Sequence, residues 1–292
     1  MVRKAARQEC AVREERRHSA FWKIATYVLL SAAVVFALGP LWIIGVLALE
    51  SSPPATETSP WRLPVSPDFG NFAALLGRTD FILWVANSVV VSLAVTAVGV
   101  LLSATAGYAI SRFRFFGRLA VLNGLLITQI FPATMLLLPI FLILVQLKLI
   151  NTFFGLILIY LATALPFCIW QMKTFYDSVP ESVEEAAAMD GCTPSEIFRK
   201  VVIPVSAPGL VVTALFSFAA SWNEYVVAAI LLQDAELFTL PLGLRLLHAD
   251  SSAGLPTLFA AGALLVAAPV LVLYLVLSRF LTARVQDIRV RF

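Results

Sequence analysis

The chain has 292 residues, 60% of them apolar and 13% charged, with a mean hydropathy of +0.89. An ordinary soluble domain carries about 25% charged residues, so these values exclude one and make the chain an integral membrane protein. A spanning helix needs about 20 apolar residues, so this length holds six spans with modest loops; the net charge of +3 matters through where the positive residues lie.

Residues 1–23 form a basic N-terminus with seven Lys or Arg. A cleaved signal peptide has a shorter apolar core and a small-residue cleavage site. The apolar run over 24–49 is long enough to span, so it reads as an uncleaved first helix. Residues 50–82, rich in Pro and Ser, read as an outer loop with little regular structure. Span two covers 83–110 and is followed by a tight basic turn with Arg112, Arg114 and Arg118. Span three covers 119–147, where Pro132 and Pro139 are expected to kink or interrupt it. Span four covers 153–175 and contains Pro166. After a polar passage over 177–208, span five covers 209–232, an outer loop 233–256 follows, and span six covers 258–281. Residues 83–281 thus form one transmembrane domain, and 282–292 is a basic tail.

Six spans put both termini on one side. That side collects 17 of the 21 Lys and Arg: the N-terminus, the 112–118 turn, Lys173, Arg199, Lys200 and the tail. The other side has Arg62, Arg78, Lys148 and Arg245. The bias places the termini and the 177–208 passage in the cytoplasm. A nucleic-acid arm is the competing reading of the basic N-terminus, and the same bias displaces it.

The 177–208 passage reads as two short helices with a turn between them. Ser182 and Glu185 have capping-box spacing, and Pro180 sits where a helix starts. Gly191 suits the left-handed residue that ends the first helix. Thr193, Pro194 and Glu196 fit an N-cap, a first helical position and the reciprocal acid. Pro204 and Pro208 lack amide donors and are expected to stop the second helix. Ile197, Phe198, Val201 and Val202 give it an apolar face. Ala186, Ala187 and Ala188 leave a surface of low relief that fits a groove on another protein, whereas plain helix formation explains them equally. Glu185 reads as a capping acid or as a docking contact.

Chemistry for an enzyme is missing. None of the five lysines follows a glycine, so no phosphate-cradling P-loop exists. H-E-x-x-H and G-x-S-x-G are absent. Three cysteines make no disulfide framework or metal site. No carboxylate pair lies at helical spacing inside a span, so a proton relay has few candidates. One intramembrane site is unusual: Ser221-Trp222-Asn223-Glu224-Tyr225, mid-way along span five. Asn223 and Glu224 either line a polar path or pair with a neighbouring helix and fix its packing. Thr128 and Gln129, beside Pro132, either join that path or satisfy carbonyls freed by the proline. Asn87 and Ser88 read as packing or capping residues.

Glu185-Ala186-Ala187, then Gly191, then Val201-Val202-Ile203-Pro204 resembles the EAA loop of the membrane subunits of binding-protein-dependent ABC importers. Further matching passages are Asn87-Ser88, Tyr108 to Arg118, Phe131-Pro132, Ala187 to Arg199 with Asp190, and Trp222-Asn223-Glu224. They are most similar to the shorter permease of maltose-type carbohydrate importers, over about residues 80–280. The C-terminal tail departs from that pattern. The resemblance implies an all-α membrane protein of six helices with the type I importer permease fold, the EAA hairpin lying between spans four and five. It implies a second permease, two cytoplasmic ATPase subunits that bind ATP and Mg, and an extracytoplasmic solute-binding protein. It implies no cofactor or metal on this chain, no nucleic acid, surrounding membrane lipid, a bacterial inner membrane, and an oligosaccharide substrate such as maltose, maltodextrin or trehalose. Glu185, Ala186, Ala187, Asp190, Gly191, Phe198 and Pro204 would carry ATPase coupling, and Thr128, Gln129, Asn223 and Glu224 the translocation path. A non-sugar solute and an ion-coupled secondary transporter are the alternatives.

Overall fold

The computed structural model describes the backbone of residues 2–51, 67–130, 133–249 and 256–290, with side chains over 22–51, 67–78, 80–130, 135–246 and 256–279. Pro132, the Pro- and Ser-rich part of the outer loop, and the side chains of the basic termini lie outside them. Among the described residues the regular elements are all helical, with no strand: α1 (Val2–Ala48), α2 (Gly70–Leu76), α3 (Thr79–Arg112), α4 (Arg118–Ile130), α5 (Ala133–Gln146), α6 (Phe153–Asp177), α7 (Ser182–Met189), α8 (Pro194–Glu196), α9 (Ile203–Val205), α10 (Ala207–Trp222), α11 (Val226–Leu231), α12 (Leu240–Ala249) and α13 (Pro256–Val290). Four stretches are long and apolar enough to cross a membrane: Trp22–Ala48, Asp80–Arg112, Phe153–Asp177 and Pro256–Arg279. Two bent helix pairs raise the number to six if each is one span.

The chain divides into two compact units. In the first, which runs to Phe72 and includes the start of α13, the chain after α1 is tied back to the helix end. The Asn71 side-chain amide donates to the carbonyls of Ala48 and Glu50 at 2.9 and 2.8 Å. Residues 50–82 are thus less irregular than expected, with α2 and the start of α3 in their second half.

The second unit holds the remaining spans. Val91 and Val95 of α3, Leu144 of α5, Leu156, Ile159 and Tyr160 of α6, and Val227 and Leu231 of α11 form its apolar core. Between spans there is no hydrophobic drive toward lipid, so close backbone approach and hydrogen bonds set the packing. A Cβ on Gly107 of α3 would come within 2.9 Å of Met172 on α6, and one on Gly209 of α10 within 2.7 Å of the Phe175 ring. Trp222 is buried and donates its indole N–H to the Val266 carbonyl of α13 at 2.9 Å. Pro139 and Pro166 are accommodated within α5 and α6, and α4 and α5 meet at 107°, the kind of interruption expected of span three.

Span five is also broken. The sequence reads as one span over 209–232 with a polar site mid-way, yet α10 stops at Trp222 and α11 starts only at Val226. The following loop is not open either, because α12 occupies residues 240–249. Its approach is pinned to α3. Asn87 donates to the carbonyls of Glu236 and Phe238 at 2.7 and 3.0 Å, and the Leu240 amide donates to the Ser88 hydroxyl at 2.7 Å. The capping reading of Asn87 and Ser88 is what the structure shows. Asn151, at φ +57, performs the same task from the α5–α6 turn, accepting from the amides of Gln233 and Asp234 at 2.9 and 3.1 Å. Asn87→Ala leaves the partly buried carbonyls of Glu236 and Phe238 without their side-chain donor, an expected cost of about 1 kcal/mol. Limited proteolysis of the purified protein should then cut the 233–239 turn several-fold faster, with the rest of the digest unchanged.

Candidate coupling hairpin and intramembrane polar site

The hairpin forms, with three departures from expectation. A turn through Pro180 starts the chain winding early: Val183 donates to Pro180, and Glu184 and Glu185 both donate to Glu181. Ser182 therefore lies inside the helix, Glu181 is the cap, and no Ser182–Glu185 capping box exists. The second departure is at the prolines. Residues 197–202 form a π turn in which the Ile203 amide reaches the Phe198 carbonyl. Wider turns of this kind relieve the clash between a proline ring and the carbonyl four residues back. Pro204 thus sits within the arm, and the break comes at Ser206, where the chain bends by 74° into α10. Pro208 starts α10 rather than ending the arm. The third concerns the alanines. Consecutive helix residues point about 100° apart, so three in a row cannot share a face: Ala187 is buried in the hairpin, while Ala186 and Ala188 are exposed.

The turn itself is a Schellman motif. Gly191 has φ +86; its amide donates to Ala188 and that of Cys192 to Ala187, at 3.0 and 3.1 Å. The next arm is opened by Glu196, whose carboxylate accepts from the Thr193 amide and hydroxyl at 3.1 and 2.9 Å and from Lys200 at 2.7 Å. The Lys200 bond, with the two Thr193 donors, holds the Glu196 carboxyl down at about 2. Because that value is lowered on folding, the stabilisation is complete above the usual carboxylate range and fades only as pH falls toward about 2. At neutral pH the turn is fixed.

Below the tip, Ala187, Ile197 and Val202 close a small core against Met172 and Tyr176 of α6, with Phe198 and Val201 packed on its edge. The predicted apolar face is present. Phe198 also meets the Tyr108 ring of α3, centroids 4.8 Å apart. What remains outside is a knuckle: Glu185, Ala186, Ala188, Met189, Asp190 and Gly191 are all exposed, and Met189 is 89% exposed. Among the described residues the Glu185 carboxylate has no hydrogen-bond partner, so nothing ties it to a capping role. Met189 had no signal in the sequence beyond lying between Ala188 and Asp190.

A contact that sequence reasoning missed stands beside it. Glu184 accepts from the Tyr108 hydroxyl at 2.7 Å and from the Arg112 Nε at 2.6 Å, and Arg112 also donates to the Val179 carbonyl at 2.9 Å. Ser111 donates to Asp177 at 2.7 Å, and Asp177 pairs with Lys173 at 2.5 Å. Tyr108 and Arg112 are four apart, so they share a face of α3. That spacing was the available signal.

The polar residues expected in the path are dispersed. At the break in span five, Glu224 accepts from the amides of Val227 and Ala228 at 3.0 and 3.3 Å and from the Tyr160 hydroxyl of α6 at 2.9 Å. It supplies the acceptors that the first turn of α11 lacks and fastens that turn to α6. Asn223 is exposed, its amide on the Ala219 carbonyl at 2.8 Å. On α4, Thr128 bonds back to Leu125 at 2.7 Å, and Gln129 donates to the Thr163 carbonyl of α6 at 3.3 Å. Both side chains are otherwise exposed.

Comparison with known proteins gives these features a context. Residues 96–290 match the binding-protein-dependent transport system inner membrane component family. The chain is similar to the trehalose transport system permease protein SugB of Mycobacterium tuberculosis, 33% identical over 91% of this chain and 96% of the relative. It is similar to the maltodextrin transport system permease protein MdxG of Bacillus subtilis, 31% identical over 88% of this chain and 92% of the relative. Among solved structures it superposes with a chain of a bacterial ABC transporter that imports the acidic polysaccharide alginate. That match has a TM-score of 0.76 at 28% identity, covering 90% of this chain and 98% of the other.

Proposed function

The chain belongs to the family of binding-protein-dependent transport system inner membrane components, and from that premise we propose that it is one permease of a carbohydrate ABC importer. In this reading a second, similar permease completes the translocation path. Two cytoplasmic ATPase subunits bind ATP and Mg, and each receives one hairpin. A solute-binding protein delivers an oligosaccharide of the trehalose or maltodextrin kind on the outer side. The membrane is a bacterial inner membrane, with both termini in the cytoplasm.

The observation that carries the reading is the hairpin. A knuckle of exposed small and acidic residues stands on a capped, packed base at the end of the bundle where the positive residues gather. A rigid base moves as a body, so a displacement imposed at Glu185, Ala186 and Gly191 reaches α6 and α10 undiminished. The buried positions Ala187 and Val202, with Phe198 beside them, keep it rigid, while Pro204 and Ser206 set the angle at which it enters the span. The second permease has a surface to meet: α4 buries none of its residues and exposes Leu119, Ile127 and Ile130.

The translocation path is assigned to the side of α4 and the break in span five, with Thr128, Gln129, Asn223 and Glu224. Glu224→Gln keeps an acceptor for α11 and removes the charge. It is expected to leave the complex intact and lower uptake at least threefold; unchanged uptake assigns Glu224 to packing alone.

Purification of the intact complex, with mass spectrometry of its subunits and a ligand screen on its binding protein, tests the whole reading. A second permease, an ATPase and an oligosaccharide-binding protein are the expected result. A chain purified from the membrane without any ATPase contradicts it.

A further inference from the structure

We propose that Glu184, rather than serving only as a neighbour of the docking residues, is the strut that transmits hairpin movement to α3. The proposal rests on the importer reading above and names a positioning residue within it.

The hairpin joins α6 and α10 through the chain itself. Its link to α3 has to be made by side chains. Aromatic packing of Tyr108 on Phe198 supplies part of it, with centroids 4.8 Å apart. Such contacts slide. The directional part is the triad: one Glu184 oxygen takes the Tyr108 hydroxyl, the other takes Arg112 Nε, and of the two other guanidinium nitrogens one holds the Val179 carbonyl at the hairpin root and one donates to the Ser111 hydroxyl. The two charged side chains are only 10% and 14% exposed, so water replaces neither partner easily. A planar guanidinium fork fixes direction as well as distance, and losing one member of a largely buried pair strands the other's charge.

What lies alongside explains why these bonds carry the load. Arg112 itself lines a polar, open cavity of about 430 Å³, together with Ser111, Arg114, Arg118, Asp177 and Glu181. At its edge Arg112 crosses from α3 to Glu184 and Val179, and Ser111 crosses to Asp177. When the knuckle is pushed, α6 and α10 move by continuity and carry the body of α3, which packs on both; the C-terminal end of α3 is tied to the hairpin itself through Glu184. Without the strut the hairpin would still dock, but that end of α3 would lag and the bundle would open incompletely.

The test uses the purified complex in proteoliposomes, with substrate transported per ATP hydrolysed as the readout. A purely structural role would lower the amount of complex and leave this ratio unchanged. Glu184→Gln is expected to lower the ratio at least fivefold, with ATP hydrolysis continuing. Arg112→Lys, which keeps the charge but cannot hold Glu184 and Val179 together, should lower it comparably. Tyr108→Phe should lower it about twofold. Should Glu184→Gln fail to accumulate, Tyr108→Phe decides the matter, because it removes one hydroxyl without changing shape. An unchanged ratio in an assembled variant overturns the strut and leaves the importer reading standing. A wild-type complex that contains no ATPase overturns both.

Discussion

Gly191→Asp is expected to reduce uptake at least tenfold while the protein remains in the membrane at its normal level. Two structural facts separate those outcomes. A Cβ at Gly191 meets no atom within 4 Å, so no internal clash unfolds the hairpin. The backbone at φ +86 disfavours an L-residue by about 1–2 kcal/mol, and Asp is among the side chains that tolerate this region best. The Schellman bonds and the Ile197–Val202 core therefore survive. The new side chain points outward, at the exposed tip, next to Asp190 and the unpartnered Glu185. In the proposed coupling, an added carboxylate there obstructs the groove that receives the hairpin and concentrates negative charge. Gly191→Ala separates the effects: it carries the backbone cost without the charge and should retain most uptake. Uptake in cells, read against membrane level by immunoblot, checks both.

Gly243→Val is expected to fail earlier, at assembly. A Cβ at this position of α12 would overlap the Trp84 ring of α3. Trp84 is 4% exposed and donates to the Ala235 carbonyl at 3.1 Å, so it has nowhere to move. Overpacking costs about 1–3 kcal/mol, and expelling a buried Trp adds about 3–5 kcal/mol. The membrane level should fall several-fold and the melting temperature of any purified protein should drop. Gly243→Ala combined with Trp84→Leu, which returns the space, should recover part of both. A normal level of Gly243→Val would show that α12 is not held against α3.

How far these features could be read from the chain depends on what carried the signal. The apolar arm Ile197, Phe198, Val201, Val202 was legible because helical period is written in side-chain spacing. The acid Glu196 with Thr193 was legible because a capping box is local. Ser182 with Glu185 has the same spacing and forms no box, since the turn at Pro180 moves the start of the helix one residue earlier. Pro204 read as a stop, yet a π turn that relieves the clash of its ring with the preceding turn accommodates it within the arm. The polar Ser221 to Tyr225 stretch marked the place of the break in span five but not the break itself, because Glu224 takes the amides of Val227 and Ala228 as the preceding turn of a continuous helix would have done. Glu184 and Glu185 are adjacent and alike in sequence. Only the fold shows that one is held by Tyr108 and Arg112 while the other has no hydrogen-bond partner among the described residues.

The central claim is that transport through this chain is driven by ATP hydrolysed elsewhere and delivered through the hairpin. The direct measurement is oligosaccharide uptake by proteoliposomes carrying the purified complex and its binding protein, with ATP inside and no ion gradient. Uptake that depends on internal ATP, and that Gly191→Asp abolishes while ATP hydrolysis persists, is the predicted result. Uptake that proceeds without ATP and follows an imposed ion gradient would contradict the account.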